Sequence, residues 1–306
     1  MSVQPSRSGV VEDRGGALPD FLIIGAMKCG TTSLYHYLRD HPQIFMPSIK
    51  APEFFAEESN WGRGIGWYRR QFEGAGPGVV AIGEASNVYT KYPRYGGVPA
   101  RIADHIPHAR LVYVVRDPID RIRSHYQTRV TEGTERSPIG LAVRENPIYL
   151  DYSRYAMQLD QYLDHFPREQ LLVITAEDLR DDRRATVQEV YGFLGVGSDH
   201  VPDDMDRVFY ETKHRAPRSP VPLWLRKGLK RHLPAAKRAK ELENNVVRAL
   251  RALRRKPEGA SELAPHLVIP DDVRAELADA LMDVVRWLRT SLAPGLGPGL
   301  DGWGIA

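Results

Sequence analysis

The sequence predicts an α/β fold in which helices flank a central parallel sheet. Two observations lead to this prediction. Short apolar runs alternate along the chain with amphipathic helical segments, and such alternation is typical of strand–helix–strand units with parallel strands. Two of the runs also end in segments suited to anion binding, as expected at the carboxyl ends of parallel strands. The 306 residues could form one large domain or two smaller ones; we predict a single domain.

The hydrophobic pattern places the elements in chain order. The first apolar run stops at a glycine, and a helical pattern begins soon afterwards. The predicted strands lie at about 20–24, 79–82, 110–115 and 170–174, and the predicted helices at about 31–40, 97–105, 118–130, 152–165 and 182–194. A last amphipathic helix is predicted at 271–289, where apolar residues recur at helical spacing after Pro270.

The two ends of the chain differ in character from the middle. Residues 1–18 contain no apolar core of signal-peptide length, so we expect a flexible tail. The predicted domain spans 19–306, and 219–306 form its basic, mostly helical C-terminal part. Lysines and arginines dominate 226–256, where apolar residues keep helical spacing. This stretch could be a solvated helix face or a contact for an acidic acceptor, a second subunit or an anionic membrane surface.

A phosphate-binding turn follows the first predicted strand. The strand breaks at Gly25 and the chain restarts as a polar helix, so that backbone N–H groups and the helix dipole can face an anion. A Walker A loop would place the lysine after the last glycine, whereas Lys28 precedes Gly30. The lysine supplies a cation and the following hydroxyls supply donors. The candidate anion-binding residues are Lys28, Cys29, Gly30, Thr31, Thr32 and Ser33.

A second candidate anion site follows the strand at 110–115. Arg116 begins the segment Arg-Asp-Pro, and Ser124 lies eight residues later on the predicted helix. A guanidinium offers a planar fork of donors and a serine offers a hydroxyl, a combination that suits a phosphate monoester. Pro118 fits the first helical turn, where its missing N–H costs nothing.

Together these segments resemble the sulfotransferases that use 3′-phosphoadenosine 5′-phosphosulfate (PAPS). The order G-x-x-K-x-G-T-T-S is similar to their 5′-phosphosulfate loop, and Arg116 with Ser124 matches their 3′-phosphate site. Residues 84–89 resemble the family segment G-E-x-S-x-x-Y, and 155–196 resemble its middle part. The resemblance extends from Pro19 to about Arg218, and the carbohydrate and heparan sulfate branch is the most similar.

The resemblance implies a P-loop-like sulfotransferase fold and a specific reaction. A sulfuryl group would move in line from PAPS to a hydroxyl or amine of a small-molecule, lipid or saccharide acceptor, leaving 3′-phosphoadenosine 5′-phosphate (PAP). Lys28 would neutralise the bridging and leaving oxygens. No metal is required, because the cofactor carries the activated group.

The general base is where the sequence departs from its relatives. Carbohydrate sulfotransferases place a catalytic glutamate in K-E-x-x-F-F, whereas Ala51 occupies that position within Lys50–Phe55 here. Glu53 is our first candidate for the base, since Pro52 disfavours a helix and an extended segment would keep Glu53 on the same face. Its alternative role is structural. Glu84, after the apolar run at 79–83, is the second candidate and could instead form an ion pair.

Further assignments rest on the same resemblance. Relatives close the nucleotide site with a basic loop at the point where this chain has Arg215 and Arg218, and Arg218 is the better candidate. The chain has a single cysteine, Cys29, which excludes an internal disulfide and a cysteine-cluster metal site. The Cys29 thiol could be reactive or inert, and we favour an inert thiol. Trp61 and Trp67 could line the acceptor pocket or pack as a loop.

Two other classes of function remain as alternatives. A P-loop kinase or NTPase would depend on ATP and magnesium, and the position of Lys28 argues against it. A non-catalytic nucleotide-binding protein could use the basic stretch as its contact surface. Nucleic acid is not an expected partner, while a homodimer is possible. With no run long enough to span a membrane, we expect cytoplasmic residence.

Overall fold

The computed structural model of the protein describes residues 16–207, 209, 267–292 and 298–303. Within these residues, five parallel strands form one sheet in the order β2-β3-β1-β4-β5. The strands are β1 Phe21–Gly25, β2 Ile44–Phe45, β3 Ala81–Ala85, β4 Arg110–Val115 and β5 Leu171–Thr175. The predicted α/β class and parallel sheet are therefore confirmed.

Helices flank this sheet along its length. They are α1 Thr31–Asp40, α2 Ile65–Arg69, α3 Val98–His105, α4 Pro118–Thr131, α5 Ile139–Glu145, α6 Ile148–Asp151, α7 Tyr155–Leu163, α8 Asp178–Asp181, α9 Arg183–Leu194 and α10 Asp271–Leu292. The longer helices agree closely with the predictions from hydrophobic periodicity. The short helices α2, α5, α6 and α8 were not predicted, because a single turn carries too little periodicity to be recognised.

One strand lies two residues later than predicted. The sequence placed the second apolar run at 79–82, but β3 spans Ala81–Ala85 and is buried throughout, while the Val80 side chain is 45% exposed. Phe21 of β1 pairs with Gly83 of β3. A Cβ atom at Gly83 would lie 2.2 Å from the Phe21 ring, so close packing between the strands requires glycine there. Glu84 consequently lies inside the strand, whereas the sequence suggested that it follows the strand.

The sheet topology defines where a ligand can bind. β1 lies between β3 and β4, with Phe21 paired to both Gly83 and Arg110. The chain therefore places β2 and β3 on one side of β1 before it adds β4 and β5 on the other side. Open α/β sheets bind ligands outside the carboxyl ends of the strands at such a point, where the strand order reverses. The two segments predicted to bind anions follow β1 and β4, and thus leave the same edge of the sheet side by side.

The last helix covers the helical layer. The apolar face of α10 is buried as predicted, with Val273, Leu277, Leu281 and Leu288 among its buried residues. It packs against α4 and α7, whereas the sequence suggested that it lies on the sheet. The Arg144 guanidinium joins α5 to this helix through the carboxylates of Asp272 and Glu276, each at 2.7 Å. These pairs are exposed, so we attribute most of the attachment to the apolar contact.

Candidate active site

The loop after β1 has an unusual backbone. Lys28 adopts φ 75°, a left-handed conformation that few residues other than glycine occupy, and Gly30 follows at φ 90° as the residue before α1. Gly30 has no side chain that could accept hydrogen bonds from the first turn of α1, and this turn contains no acidic residue. The N-terminal end of α1 therefore offers backbone donors and a favourable dipole to an anion.

The three hydroxyl residues at the start of α1 point to different partners. Thr31 Oγ1 donates to Asn87 Oδ1 at 3.0 Å, which joins the loop to the residues after β3. Thr32 Oγ1 accepts from Lys50 Nζ at 2.6 Å. The Ser33 hydroxyl instead makes hydrogen bonds with the backbone of Phe209, at 3.3–3.4 Å. Thr32 is thus the hydroxyl with a cation beside it, and Ser33 lies in a structural contact.

Lys50 is a residue of this site that was not predicted. It stands in the quoted segment Lys50–Phe55, so its charge was visible in the sequence, but only the fold brings its ammonium to the first turn of α1. Burial lowers the pKa of Lys50 to about 8. A bound anion would offset this burial, since an opposite charge favours the ammonium form.

Cys29 is buried beneath the loop. Its Sγ lies 3.7 Å from the Tyr155 hydroxyl, and burial raises the pKa of the thiol to about 11. The thiol therefore stays protonated near neutral pH, as expected of an inert cysteine. Any contribution of Cys29 to anion binding comes from its backbone in the loop.

The second predicted anion site begins directly after β4. Asp117 caps α4 by accepting a hydrogen bond from Asp120 N at 2.9 Å, with Pro118 at the first position of the helix. The Arg116 guanidinium lies 3.3 Å from the Asp120 carboxylate, and its side chain is 31% exposed. Ser124 is buried on the same helix, about two turns further on. The cap fixes the start of α4, two residues after Arg116.

Tyr155 joins the two predicted anion sites. Its hydroxyl donates to Arg116 O at 2.8 Å and accepts from Arg116 N at 3.4 Å, while Cys29 Sγ lies 3.7 Å from the same oxygen. The Tyr155 ring is completely buried. The structure therefore brings the loop after β1 and the segment after β4 together around one side chain, whose role the sequence did not predict.

Glu53 lies in the loop that follows β2, and its backbone is strained. Its φ of 50° is again left-handed, and its carboxylate accepts from Ser59 Oγ at 3.2 Å. Ala51, which takes the family's glutamate position, is exposed. Glu53 is half-buried, and its charge raises the pKa of the nearby Lys91, although burial is stronger and lowers that pKa to about 8. Glu53 and Lys91 are thus close enough for their opposite charges to interact.

Glu84 occupies a different environment from Glu53. Its side chain is fully buried, and its carboxylate accepts from the hydroxyls of Tyr89 at 2.6 Å, Ser86 at 2.7 Å and Tyr68 at 3.2 Å. Burial raises the pKa of Glu84 to about 7, against the opposing effect of these donors. The sequence suggested an ion pair as the structural alternative for Glu84, whereas hydroxyl groups donate to its carboxylate in the structure.

The two carboxylates are connected through Ser86. The Ser86 hydroxyl donates to Glu84 and accepts from the backbone N–H of Glu53 at 2.9 Å. Next to Glu53, the Phe54 ring stacks on Tyr68 with ring centroids 4.5 Å apart, and Trp61 packs on Phe54 at 5.2 Å. This aromatic cluster corresponds to the packed-loop interpretation of the tryptophans. It holds the segment that carries Glu53.

Other predicted residues lie outside the residues that the structure describes. These are Arg215, Arg218 and the basic stretch 226–256. Among the described residues, no group of three or more His, Cys, Asp or Glu side chains could hold a metal ion. No helix in the described part of the chain is long and apolar enough to cross a membrane.

Comparison with known proteins gives related results at three levels. A family model described as "Sulfotransferase domain" matches residues 18–227. The chain is 32% identical over 198 residues to human bifunctional heparan sulfate N-deacetylase/N-sulfotransferase 3, covering 58% of this chain and 22% of that protein. It is 27% identical over 220 residues to mouse heparan sulfate glucosamine 3-O-sulfotransferase 3A1, covering 69% of this chain and 54% of that protein.

A solved structure agrees with these sequence matches. The crystal structure of a sulfotransferase from Alicyclobacillus acidocaldarius superposes with a TM-score of 0.55 at 33% sequence identity. The match covers 64% of this chain and 89% of that one. The chain therefore matches most of this bacterial structure but only about a fifth of the first human relative.

Proposed function

This chain belongs to the sulfotransferase domain family, and from that premise we propose that it transfers a sulfuryl group from PAPS to a hydroxyl or amine of an acceptor. The observation that carries the proposal is the junction at Tyr155. Two segments with anion-binding chemistry leave adjacent strands and share one buried hydroxyl, with Arg116 O at 2.8 Å and Cys29 Sγ at 3.7 Å. A ligand with phosphate groups at two separate positions suits this arrangement better than a single phosphate does.

We assign the 5′-phosphosulfate to the loop after β1. PAPS, when bound, supplies the activated sulfuryl group. Lys28 and Lys50 stabilise the negative charge that develops on the leaving phosphate oxygens, and the start of α1 adds backbone donors. Support comes from the left-handed backbone at Lys28 and from the Lys50–Thr32 hydrogen bond. The 3′-phosphate is assigned to Arg116 and Ser124, with Arg116 exchanging its contact with Asp120 for the phosphate.

We propose Glu53 as the general base that takes the acceptor's proton. Its half-buried carboxylate lies at the end of an anchored loop, and the left-handed φ of 50° indicates a conformation that the surrounding packing imposes. Glu84 is then a positioning residue that acts through Ser86 on the Glu53 backbone. The sequence offered Glu84 as the second candidate for the general base, whereas its complete burial supports the positioning role.

For the acceptor, we propose a saccharide with anionic groups as the first class to test. Two relatives carry heparan sulfate sulfotransferase activities in their names. Lys50 adds positive charge at the start of α1 and Lys91 adds positive charge near Glu53, which favours an anionic acceptor over a neutral lipid. Cytoplasmic residence, a homodimer and independence from metals stay predictions.

A thermal-shift comparison tests the cofactor, and an acceptor screen tests the reaction. PAP should raise the melting temperature clearly more than AMP or ATP with magnesium, because ligand binding to the native state stabilises it in proportion to affinity. Incubation with PAPS and a panel of saccharides, lipids and small alcohols or amines should then give a sulfated product by mass spectrometry. An equal shift with ATP and magnesium would favour a kinase or NTPase instead. Binding of PAP without turnover of any acceptor would favour a non-catalytic nucleotide-binding protein.

A further inference from the structure

The segment 298–303 docks beside the carboxyl ends of β4 and β5, although it lies outside the residues matched by the family model. Gly299 N donates to Asp178 Oδ1 at 3.0 Å. A Cβ atom at Gly299 would lie 2.2 Å from Thr175 Oγ1, so only glycine fits this close approach. Leu300 and Trp303 are both buried, the latter only 2% exposed. The segment is therefore packed into the domain as a structural part of it.

Trp303 packs against the residue that joins the two anion sites. Its ring centroid lies 6.3 Å from that of Tyr155, with an angle of 59° between the planes. Tyr155 in turn holds both backbone groups of Arg116 with its hydroxyl. A shift of the Tyr155 ring would move this hydroxyl, so the indole is one of the groups that fix its position.

A second support of the Arg116 segment also lies beside Trp303. Glu177 Oε1 accepts a hydrogen bond from Asp117 N at 3.1 Å, which holds the residue directly after Arg116. Trp303, Glu177 and Asp117 line one cavity of about 310 Å³. Burial raises the pKa of the Glu177 carboxyl, and the hydrogen bond from the Asp117 backbone N–H opposes that shift. The Trp303 indole therefore lies near both groups that hold the turn between β4 and α4, the Tyr155 hydroxyl and the Glu177 carboxylate.

We propose that Trp303 is a positioning residue for the 3′-phosphate site. By packing against Tyr155 and lining the same cavity as Glu177, it keeps the backbone at Arg116 and Asp117 in the orientation that aims the guanidinium at the phosphate. This inference rests on the proposed function, because it assumes that Arg116 binds the 3′-phosphate of PAP. Removing the indole should therefore weaken recognition of that phosphate more than recognition of the rest of the nucleotide.

Calorimetric titration with PAP and with AMP, which lacks the 3′-phosphate, separates these effects. In the wild type the Kd for AMP should exceed the Kd for PAP, and this ratio measures the contribution of the 3′-phosphate. Trp303→Ala should lower the ratio roughly tenfold, the scale of losing part of a charge-assisted hydrogen bond. Trp303→Phe, which keeps an aromatic ring, should retain most of the wild-type ratio of the two Kd values.

Trp287→Ala is the matched control, because Trp287 is a part-buried tryptophan of α10 that packs against the core. It should leave the ratio unchanged. Should Trp303→Ala fail to fold, Trp303→Leu carries the same test, since leucine keeps apolar burial but loses the ring contact. An unchanged ratio in the folded Trp303 variant, or an equal fall in Trp287→Ala, overturns the proposal. A wild type that binds AMP as well as PAP would overturn the assigned cofactor instead.

Discussion

The buried carboxyl of Glu84 should make the stability of this protein depend on pH. In the unfolded chain the group ionises with its ordinary pKa of 4.5, whereas burial raises the folded-state pKa to about 7. Between these values the unfolded state releases a proton that the folded state keeps. Unfolding is therefore favoured as the pH rises, so the contribution of Glu84 to stability is fully present below pH 4.5 and is lost as the pH passes 7.

The size of this effect follows from the same two values. One pKa unit corresponds to about 1.4 kcal/mol, so Glu84 should remove roughly 2–3 kcal/mol of unfolding free energy between pH 5 and pH 8. Glu84→Gln keeps the shape of the side chain and cannot ionise. The stability of the wild type relative to Glu84→Gln should thus fall by that amount over this pH range, whatever the other groups contribute.

Urea denaturation at several pH values measures this difference directly. Ser86→Ala provides a second check, because the Ser86 hydroxyl lowers the pKa of Glu84 by donating to its carboxylate. When Ser86→Ala removes that donor, the pH range over which the unfolding free energy falls relative to the matching Glu84→Gln variant should move upward. A difference between wild type and Glu84→Gln that stays constant from pH 5 to pH 8 would refute the reasoning, since it would mean that the carboxyl ionises equally in both states.

The remaining predictions separate chemistry from binding. Glu53→Gln should keep PAP affinity but lose turnover roughly 100-fold or more, because an amide cannot accept a proton; near wild-type turnover would remove Glu53 from the role of base. Lys28→Ala should lower kcat about 100-fold or more through loss of a stabilising charge. Arg116→Ala should instead raise the Kd for PAP roughly 10- to 100-fold by calorimetry, and an unchanged Kd would contradict the 3′-phosphate assignment.

Local sequence was sufficient for four of the five described strands, although β3 lies two residues later than predicted, for the long helices, and for locating the two segments that we propose to bind anions. The strand at 110–115 and the helix at 31–40 have the predicted bounds, since their apolar periodicity and glycine or proline boundaries act over a few residues. The parallel sheet followed from the alternation of these elements. The family resemblance at Lys28, Arg116 and Ser124 likewise depended on spacing within short segments.

The partners of the side chains were decided only by the tertiary structure. Lys50 reaches Thr32, Tyr68 and Tyr89 surround the Glu84 carboxylate, and Tyr155 joins the loops that follow β1 and β4. Each contact joins residues from separate elements, and such partners depend on how the elements pack. A glutamate with the same neighbours in sequence could be an exposed base or a buried carboxyl; packing around Glu84 makes it the second, and leaves Glu53 half-buried beside Lys91.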